Sequence, residues 1–350
     1  METMRAAVVR SFGHPLTIDQ VPIPIPGAHQ ALVKVEYTGV CRTDLHAARG
    51  EWSTHPELPF IPGHEGHGPV VALGPDVSGV RLGDRLGGSW LASACGLCAH
   101  CLAGEEHLCP AQQNLGYSLA GSFADFMLVD TRYAARIPAG LDPVAVCPIL
   151  CGGVSAYRAL KATGARPGQW VVISGIGGVG HLAVQYARAM GLRVAAVDVE
   201  ESKLALARKH GAEVTVNALT QNPGTELTAQ VGGAHAAVVT APNPQAFADS
   251  LAMLRPGGTV ALVGRPAGSF SLDIVDTVRR GLTVRGSSAG SRLDLVEALE
   301  LFAGGAVDPT ITLRPFAAVN IVLDELAAGQ SDGSAVLDLT SGTSGTSRTL

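Results

Sequence analysis

Residues 170–191 read WVVISGIGGVGHLAVQYARAMG, and this stretch decides the fold. WVVIS is a short apolar run rich in β-branched residues, the pattern of a strand buried on both faces. HLAVQYARAM has helical periodicity and is closed by Gly191. Between them stands Gly175-Ile176-Gly177-Gly178-Val179-Gly180. A G-x-G-x-x-G run alone is a weak signal, but here it joins a strand to a helix, as its mechanism requires. The first glycine allows the tight turn, and the second lets backbone approach a pyrophosphate. The third lets helix and strand pack closely. The helix N-terminus then faces the negative charge.

Reading onward, LRVAAVD is a second strand and ESKLALARKHGA a second helix. AHAAVVTAP, FADSLAMLRPGG, TVALVGRPAG and LTVRGSS continue the alternation, so a parallel, doubly wound sheet is predicted. Asp198 ends the second strand, eighteen residues beyond Gly180. A carboxylate there can accept hydrogen bonds from the ribose hydroxyls of NAD and would repel the 2′-phosphate of NADP. Glu200 and Glu201 add to that repulsion, and Lys203 can reach the same ribose. The competing reading is a nucleotide-free α/β turn whose aspartate merely caps a helix.

Reading back toward the N-terminus, the texture changes near residue 152. MRAAVVR, ALVKVEYTGV and GPVVALG are β-like runs, and Pro22, Pro24, Pro26, Pro59 and Pro62 mark loops between them. Beyond the alternating region, LVEALELFAGG reads as a helix and AVLDLT as a closing strand, and the small, polar SGTSGTSRTL as a frayed tail. With 350 residues, two domains are expected, and 47% hydrophobic content suffices for two cores. The net charge of −5, without a Lys/Arg cluster, argues against a nucleic-acid partner. No apolar run reaches the ~18–20 residues of a membrane span, and METMRAAVVR lacks a secretory signal core. A cytoplasmic protein with no membrane partner is expected.

Seven cysteines remain to be explained, and Cys95, Cys98, Cys101 and Cys109 fall within fifteen residues. Four thiolates on one short loop suit tetrahedral zinc and close the site, leaving no open position. The spacing does not match common ferredoxin runs. Cys41 in GVCRTDLH, His64 in PGHEGHG and Cys151 in PILCGG would make a second, three-ligand zinc site with a vacant fourth position. Their separations, 23 and 87 residues, cannot assemble it by themselves. On composition alone Cys151 could equally be a small buried hydrophobe and His64 a surface residue.

Taken together, GVCRTDLHA, GHEGHG, the four-cysteine loop, ILCGG and GIGGVG resemble, in order, the motifs of the medium-chain, zinc-dependent alcohol dehydrogenases, especially the shorter, tetrameric microbial type. The resemblance covers about residues 4–340. It implies an α/β protein with a β-rich, GroES-like catalytic domain (residues 1–152 and 287–350) and an inserted Rossmann coenzyme domain (153–286). It implies two Zn2+ per subunit, one catalytic on Cys41, His64 and Cys151 and one structural on the four-cysteine loop. NAD is the implied cofactor, a small alcohol or aldehyde the substrate, and a homotetramer the assembly. Glu65 matches an acidic residue that sits behind the metal and can bind it transiently, and Asp44 the carboxylate that orients the ligand histidine. Thr43 and His46 match a proton relay running from the alcohol through Thr43 and the cofactor ribose to His46 and solvent. Imidazole suits the exit because it exchanges protons most readily near neutral pH. Arg42 matches a pyrophosphate contact. Ser155 stands where the family usually has threonine beside the nicotinamide, and Val263 joins the cofactor contacts. Trp52 and Trp90 match aromatic walls of the substrate pocket, with Leu115 and Tyr117 as further candidates. The expected reaction is oxidation of primary, or secondary, alcohols to aldehydes or ketones, and the reverse.

Two departures stand out. The family's G-R-x-V motif, whose arginine grips the pyrophosphate, is here Gly333-Ser334-Ala335-Val336. His67 replaces a commonly small residue; no function is assigned to it, and a structural or surface role is expected. A different class of reading, a catalytically silent, zinc-stabilised NAD(H)-binding sensor, conflicts with an intact ligand and relay set.

Overall fold

The computed structural model describes residues 2–330 and 333–341; the polar tail expected to fray lies, from residue 342 on, outside the described residues. The chain forms two compact units. One comprises Met1–Cys151, Ser291–Val296 and Ile311–Leu350, the other Gly152–Gly290 and Glu297–Thr310.

The first unit is β-rich. Its main sheet has eight strands. Gln30–Lys34 pairs antiparallel with both Gly66–Leu73 and Phe126–Asp130. Tyr37–Val40 pairs with the start of Gly66–Leu73 on one side and with Ser334–Asp338 on the other. The C-terminal strand thus returns beside the strand that delivers Cys41. Val33, Val70, Leu86, Phe123, Met127 and Leu337 are buried in one core. Burying each such side chain contributes about 1.5–3 kcal/mol, so the sheet's geometry is set by its apolar face rather than by its loops. That rigidity matters because the loops at its edge carry the chemistry.

The second unit contains a six-stranded, all-parallel sheet in the order Val214–Asn217, Arg193–Asp198, Trp170–Ser174, Ala234–Val239, Leu254–Leu262, Thr283–Gly286. Val172, Ala195, Val197, Val239 and Val260 are buried, as strands covered on both faces require. This is the doubly wound architecture that residues 170–191 predict. The chain winds outward on one side of Trp170–Ser174, then restarts on the other with Ala234–Val239. Trp170–Ser174 therefore lies at the switch point, where open α/β sheets bind ligands beyond the strands' carboxyl ends. The glycine run follows that strand. Gly175 has φ +92°, a left-handed conformation that side chains disfavour. At Gly180, which opens the Gly180–Ala189 helix, a Cβ would lie 1.8 Å from the Gly175 carbonyl oxygen. Only glycine permits that approach of helix to strand.

Candidate active site

One short helix, Arg42–Arg49, organises the first unit's site. Cys41 is its N-cap, and the Cys41 sulfur accepts from the Thr43 N–H at 3.5 Å. Asp44 reaches back, its Oδ2 accepting from the Cys41 N–H at 2.9 Å, which completes a capping box. Gly50, left-handed, closes the other end. Both ends being fixed, every side chain of the helix has a defined direction.

Asp44 is buried, and its Oδ1 accepts from the Gly63 N–H at 3.1 Å and from His64 Nδ1 at 2.8 Å. His64 Nδ1 therefore donates to Asp44, which leaves Nε2 as the nitrogen turned toward the sulfurs. Nε2 lies 3.2 Å from Cys151 Sγ, and Cys41 Sγ lies 3.9 Å from the same sulfur. One donor atom each from Cys41, His64, Glu65 and Cys151 falls within 4.8 Å of the others. A tetrahedral zinc with bonds of about 2.0–2.3 Å spaces its sulfurs roughly 3.8 Å apart and its nitrogen and sulfur roughly 3.5 Å apart. These donors, soft and correctly spaced, fit that ion. The Glu65 side chain packs against a glycine: a Cβ at Gly39 would meet Glu65 Oε2 at 1.8 Å.

Charge at this site is strongly biased. The hydrogen bond between the two thiols lowers Cys41 well below its usual range and raises Cys151 well above it. Burial raises the Glu65 carboxyl well above the ordinary range, and the neighbouring Cys41 adds to this. For His64, burial pulls the imidazole down, but Asp44 reverses this and the net direction is upward. A divalent cation bound by these donors would displace the protons that Cys151 and Glu65 hold.

Around the donors stands an aromatic wall. The Trp90 ring meets His64 edge-on at 5.4 Å between centroids, and Trp52 meets Trp90 at 6.0 Å. Tyr117 closes the cluster at 5.3 Å from Trp52 and 5.7 Å from Trp90, its hydroxyl donating to the Thr54 carbonyl. Leu115 is fully buried behind it. Thr43 is half-buried, and His46, one turn on, packs its ring 6.0 Å from Trp52. His46 Nδ1 is hydrogen-bonded to Glu51, which in turn lies 3.6 Å from Arg49. Sequence reasoning missed Glu51; its place just past the capped helix was the available signal. Arg42 donates to the Leu326 carbonyl at 2.9 Å, so part of its guanidinium is held within the first unit.

Cys95, Cys98, Cys101 and Cys109 also converge. Cys95 Sγ lies 3.9 Å from Cys101 Sγ and 3.5 Å from Cys109 Sγ. N–H groups of Leu97 and Cys98 point at Cys95 and lower its thiol to about 6. Four sulfurs at this spacing fit a closed zinc site. The loop is anchored by buried Glu106, which pairs with Arg292 at 2.8 Å, and Arg292 also lies over the Tyr133 ring. The sequence offered no signal for that pair. His67, for which a structural or surface role is expected, is buried and structural. Its Nε2 donates to the Pro143 carbonyl at 2.6 Å, and burial lowers its imidazole to about 4, so it stays neutral.

In the second unit, Asp198 Oδ2 accepts from the Ile176 N–H at 2.6 Å, and Oδ1 from Val199 and Glu200. The carboxylate is thereby tied to the glycine run and fixed in direction. Lys203 pairs with Glu200 at 2.5 Å rather than with Asp198. Ser155 is buried on the Gly152–Thr163 helix, and Val263 extends the Leu254–Leu262 strand by donating to the Val239 carbonyl. Beside Gly177 there is open space where a Cβ would stand. That cradle and the oriented carboxylate fit a dinucleotide.

The chain is similar to known proteins over nearly its whole length. Residues 27–139 match the model of the alcohol dehydrogenase GroES-like domain, and residues 178–304 that of zinc-binding dehydrogenases. An alcohol dehydrogenase of Moraxella sp. (strain TAE123) is 51% identical over 337 residues, covering 96% of this chain and 100% of the relative. Among solved structures, acetophenone reductase from Geotrichum candidum, in complex with NAD, superposes with a TM-score of 0.85 at 29% identity, over 97% of this chain and 98% of that one. A zinc-binding dehydrogenase from Sinorhizobium meliloti 1021, bound to NADP, gives a TM-score of 0.88 at 29% identity, over 97% and 100% of the two chains.

Proposed function

The chain belongs to the medium-chain, zinc-dependent alcohol dehydrogenases, and on that premise we propose that it interconverts primary alcohols and aldehydes, secondary alcohols and ketones being secondary substrates, with NAD as cofactor. The observation that carries this reading is the set of Cys41, His64 and Cys151, held by Asp44 and walled by Trp52, Trp90 and Tyr117.

Zinc held by those three ligands would supply Lewis acidity that makes an alcohol hydroxyl acidic near neutral pH, and NAD would supply the hydride acceptor. The chain's own residues do the rest. Asp44 keeps the His64 lone pair on Nε2. The capped helix presents Thr43 Oγ1 as the first proton acceptor and His46 as the exit to solvent. Glu51, on His46 Nδ1, fixes the ring so that Nε2 faces the incoming proton. The three aromatic rings exclude water and leave room for a small or slender alcohol. Cys95, Cys98, Cys101 and Cys109 hold the second zinc in a structural role.

NAD is favoured over NADP because Asp198 presents a fixed carboxylate at the end of the second strand, with Glu200 and Glu201 beside it. Gly175, Gly177, Gly178, Val179 and Gly180 take the pyrophosphate, with Arg42 adding charge, and Ser155 and Val263 line the nicotinamide. A homo-oligomer, by resemblance a tetramer, is supported by Thr283–Gly286, an edge strand beside a helix on which Ile274, Val275 and Val278 are each 75% exposed. We place the enzyme in the cytoplasm on its composition. Among the described residues no single helix is long and apolar enough to cross a membrane.

The test is an initial-rate screen of alcohols and aldehydes with NAD(H) and NADP(H), joined to a metal assay. Turnover of ethanol with NAD, two zinc per chain and loss of activity in Cys41→Ala support the reading. NADH binding with no turnover of any alcohol or aldehyde would favour a sensor instead.

A further inference from the structure

His181 follows the glycine run directly, and none of the roles above uses it. It is fully buried at the start of the Gly180–Ala189 helix. Its Nδ1 lies 3.0 Å from the Gly177 carbonyl oxygen, and its backbone N–H donates to that same oxygen at 3.0 Å. Its Nε2 accepts from the Thr310 N–H at 3.2 Å. A nitrogen that accepts from an N–H carries no proton, so the ring's single proton sits on Nδ1 and is donated to Gly177. Burial lowers the imidazole to about 4, so the ring is neutral under ordinary conditions. One turn along the helix, Gln185 grips the same segment, donating to the Asp308 carbonyl at 3.1 Å and accepting from the Asp308 N–H at 2.7 Å. The ring is thus wedged between an anchored strand of backbone and the glycine run.

The consequence lies in one peptide plane. In a trans peptide the carbonyl and the following N–H point in opposite directions. Two donors draw the Gly177 carbonyl toward the helix, so the Gly178 N–H points outward from the helix N-terminus. An anion approaching that end meets this N–H together with the helix dipole. We propose that His181 is a positioning residue for the dinucleotide, holding the Gly177–Gly178 peptide in the orientation that offers its N–H to the pyrophosphate. This rests on the reading of the second unit as the site for NAD.

The test compares wild type with His181→Leu, His181→Asn and His181→Gln by fluorescence titration of NADH, with zinc content and thermal midpoint measured on the same samples. The asparagine amide places a donor near Nδ1, whereas the glutamine amide reaches toward Nε2. The proposal expects His181→Leu and His181→Gln to bind NADH about tenfold more weakly, the loss of one positioned hydrogen bond. It expects His181→Asn to recover to within about twofold of wild type, whatever the order of thermal midpoints. If His181→Leu does not fold, the asparagine–glutamine pair carries the comparison. Equal affinity in those two, or wild-type affinity in His181→Leu, overturns the proposal. A wild-type protein that binds neither NADH nor NADPH overturns the cofactor reading itself, and the proposal with it.

Discussion

Asp44→Asn separates orientation from ligation at the first site. The carboxylate accepts three hydrogen bonds, from the Cys41 N–H at 2.9 Å, the Gly63 N–H at 3.1 Å and His64 Nδ1 at 2.8 Å. Asparagine has almost the same shape but only one acceptor oxygen. With that oxygen toward Gly63 and His64, its amide nitrogen faces the Cys41 N–H, donor against donor. The capping box is lost, and a buried N–H without a partner costs about 1–3 kcal/mol. The two surviving bonds lose their ionic character, which removes roughly 0.5–1 kcal/mol each. A destabilisation of about 2–5 kcal/mol follows. Zinc affinity at the first site should fall about 10–100-fold, the usual effect of removing an orienting carboxylate from a histidine ligand. The assay is zinc release to a chromogenic chelator, followed over time alongside urea unfolding. One zinc should leave early in the variant, while the zinc of the four-cysteine loop leaves as slowly as in wild type. Two zinc released at wild-type rates, with an unchanged urea midpoint, would refute the orienting role.

Four further outcomes are expected. Gly180→Ala puts a Cβ 1.8 Å from the Gly175 carbonyl oxygen; overpacking of this kind costs about 1–3 kcal/mol, and calorimetry should show a lower midpoint together with weaker NADH binding. Ser334→Arg restores the cation of the family's G-R-x-V motif and should tighten NAD binding several-fold by titration; unchanged or weaker affinity sinks that idea. Cys98→Ser removes one ligand from the closed site, so the protein should carry one zinc and unfold earlier while its folded fraction still turns over alcohol. Glu51→Gln should slow turnover in dilute buffer and recover in concentrated imidazole buffer, whereas a purely structural role predicts no such rescue.

Legibility tracked distance along the chain. The glycine run and the four-cysteine loop are local, so the tight strand-to-helix turn and the convergence of the four sulfurs could be read from adjacent residues. Asp198 was readable because a βαβ unit fixes its separation from Gly180. Cys41, His64 and Cys151 were different. Their motifs suggested a site, but it takes the pairing of Tyr37–Val40 with Gly66 and His67, and of Asp44 with His64, to bring Cys41 and His64 together, and Cys151 joins them from a distant segment. His67 was unreadable because its partner, the Pro143 carbonyl, is backbone, and backbone leaves no mark on sequence. The pairing of Lys203 with Glu200, one helical turn away, is a local contact. Glu106 and Arg292 lie 186 residues apart and belong to no motif, so neither advertised the other.

The Arg42–Arg49 helix has a further consequence for how such a site can be altered. Cys41, Arg42, Thr43, Asp44 and His46, to which the proposed function gives a ligand, a phosphate contact, the orientation of His64 and both relay steps, lie within six consecutive residues and share one pair of caps. One inserted residue would turn everything beyond it by about 100°, so these positions vary together or not at all. Trp52, Trp90 and Tyr117 come from three separate segments and touch one another only through ring faces and edges. A mutational library aimed at new alcohols is therefore best varied at these rings in combination, because Trp52 also packs on His46 and Trp90 on His64, with Cys41 to His46 inherited as one block.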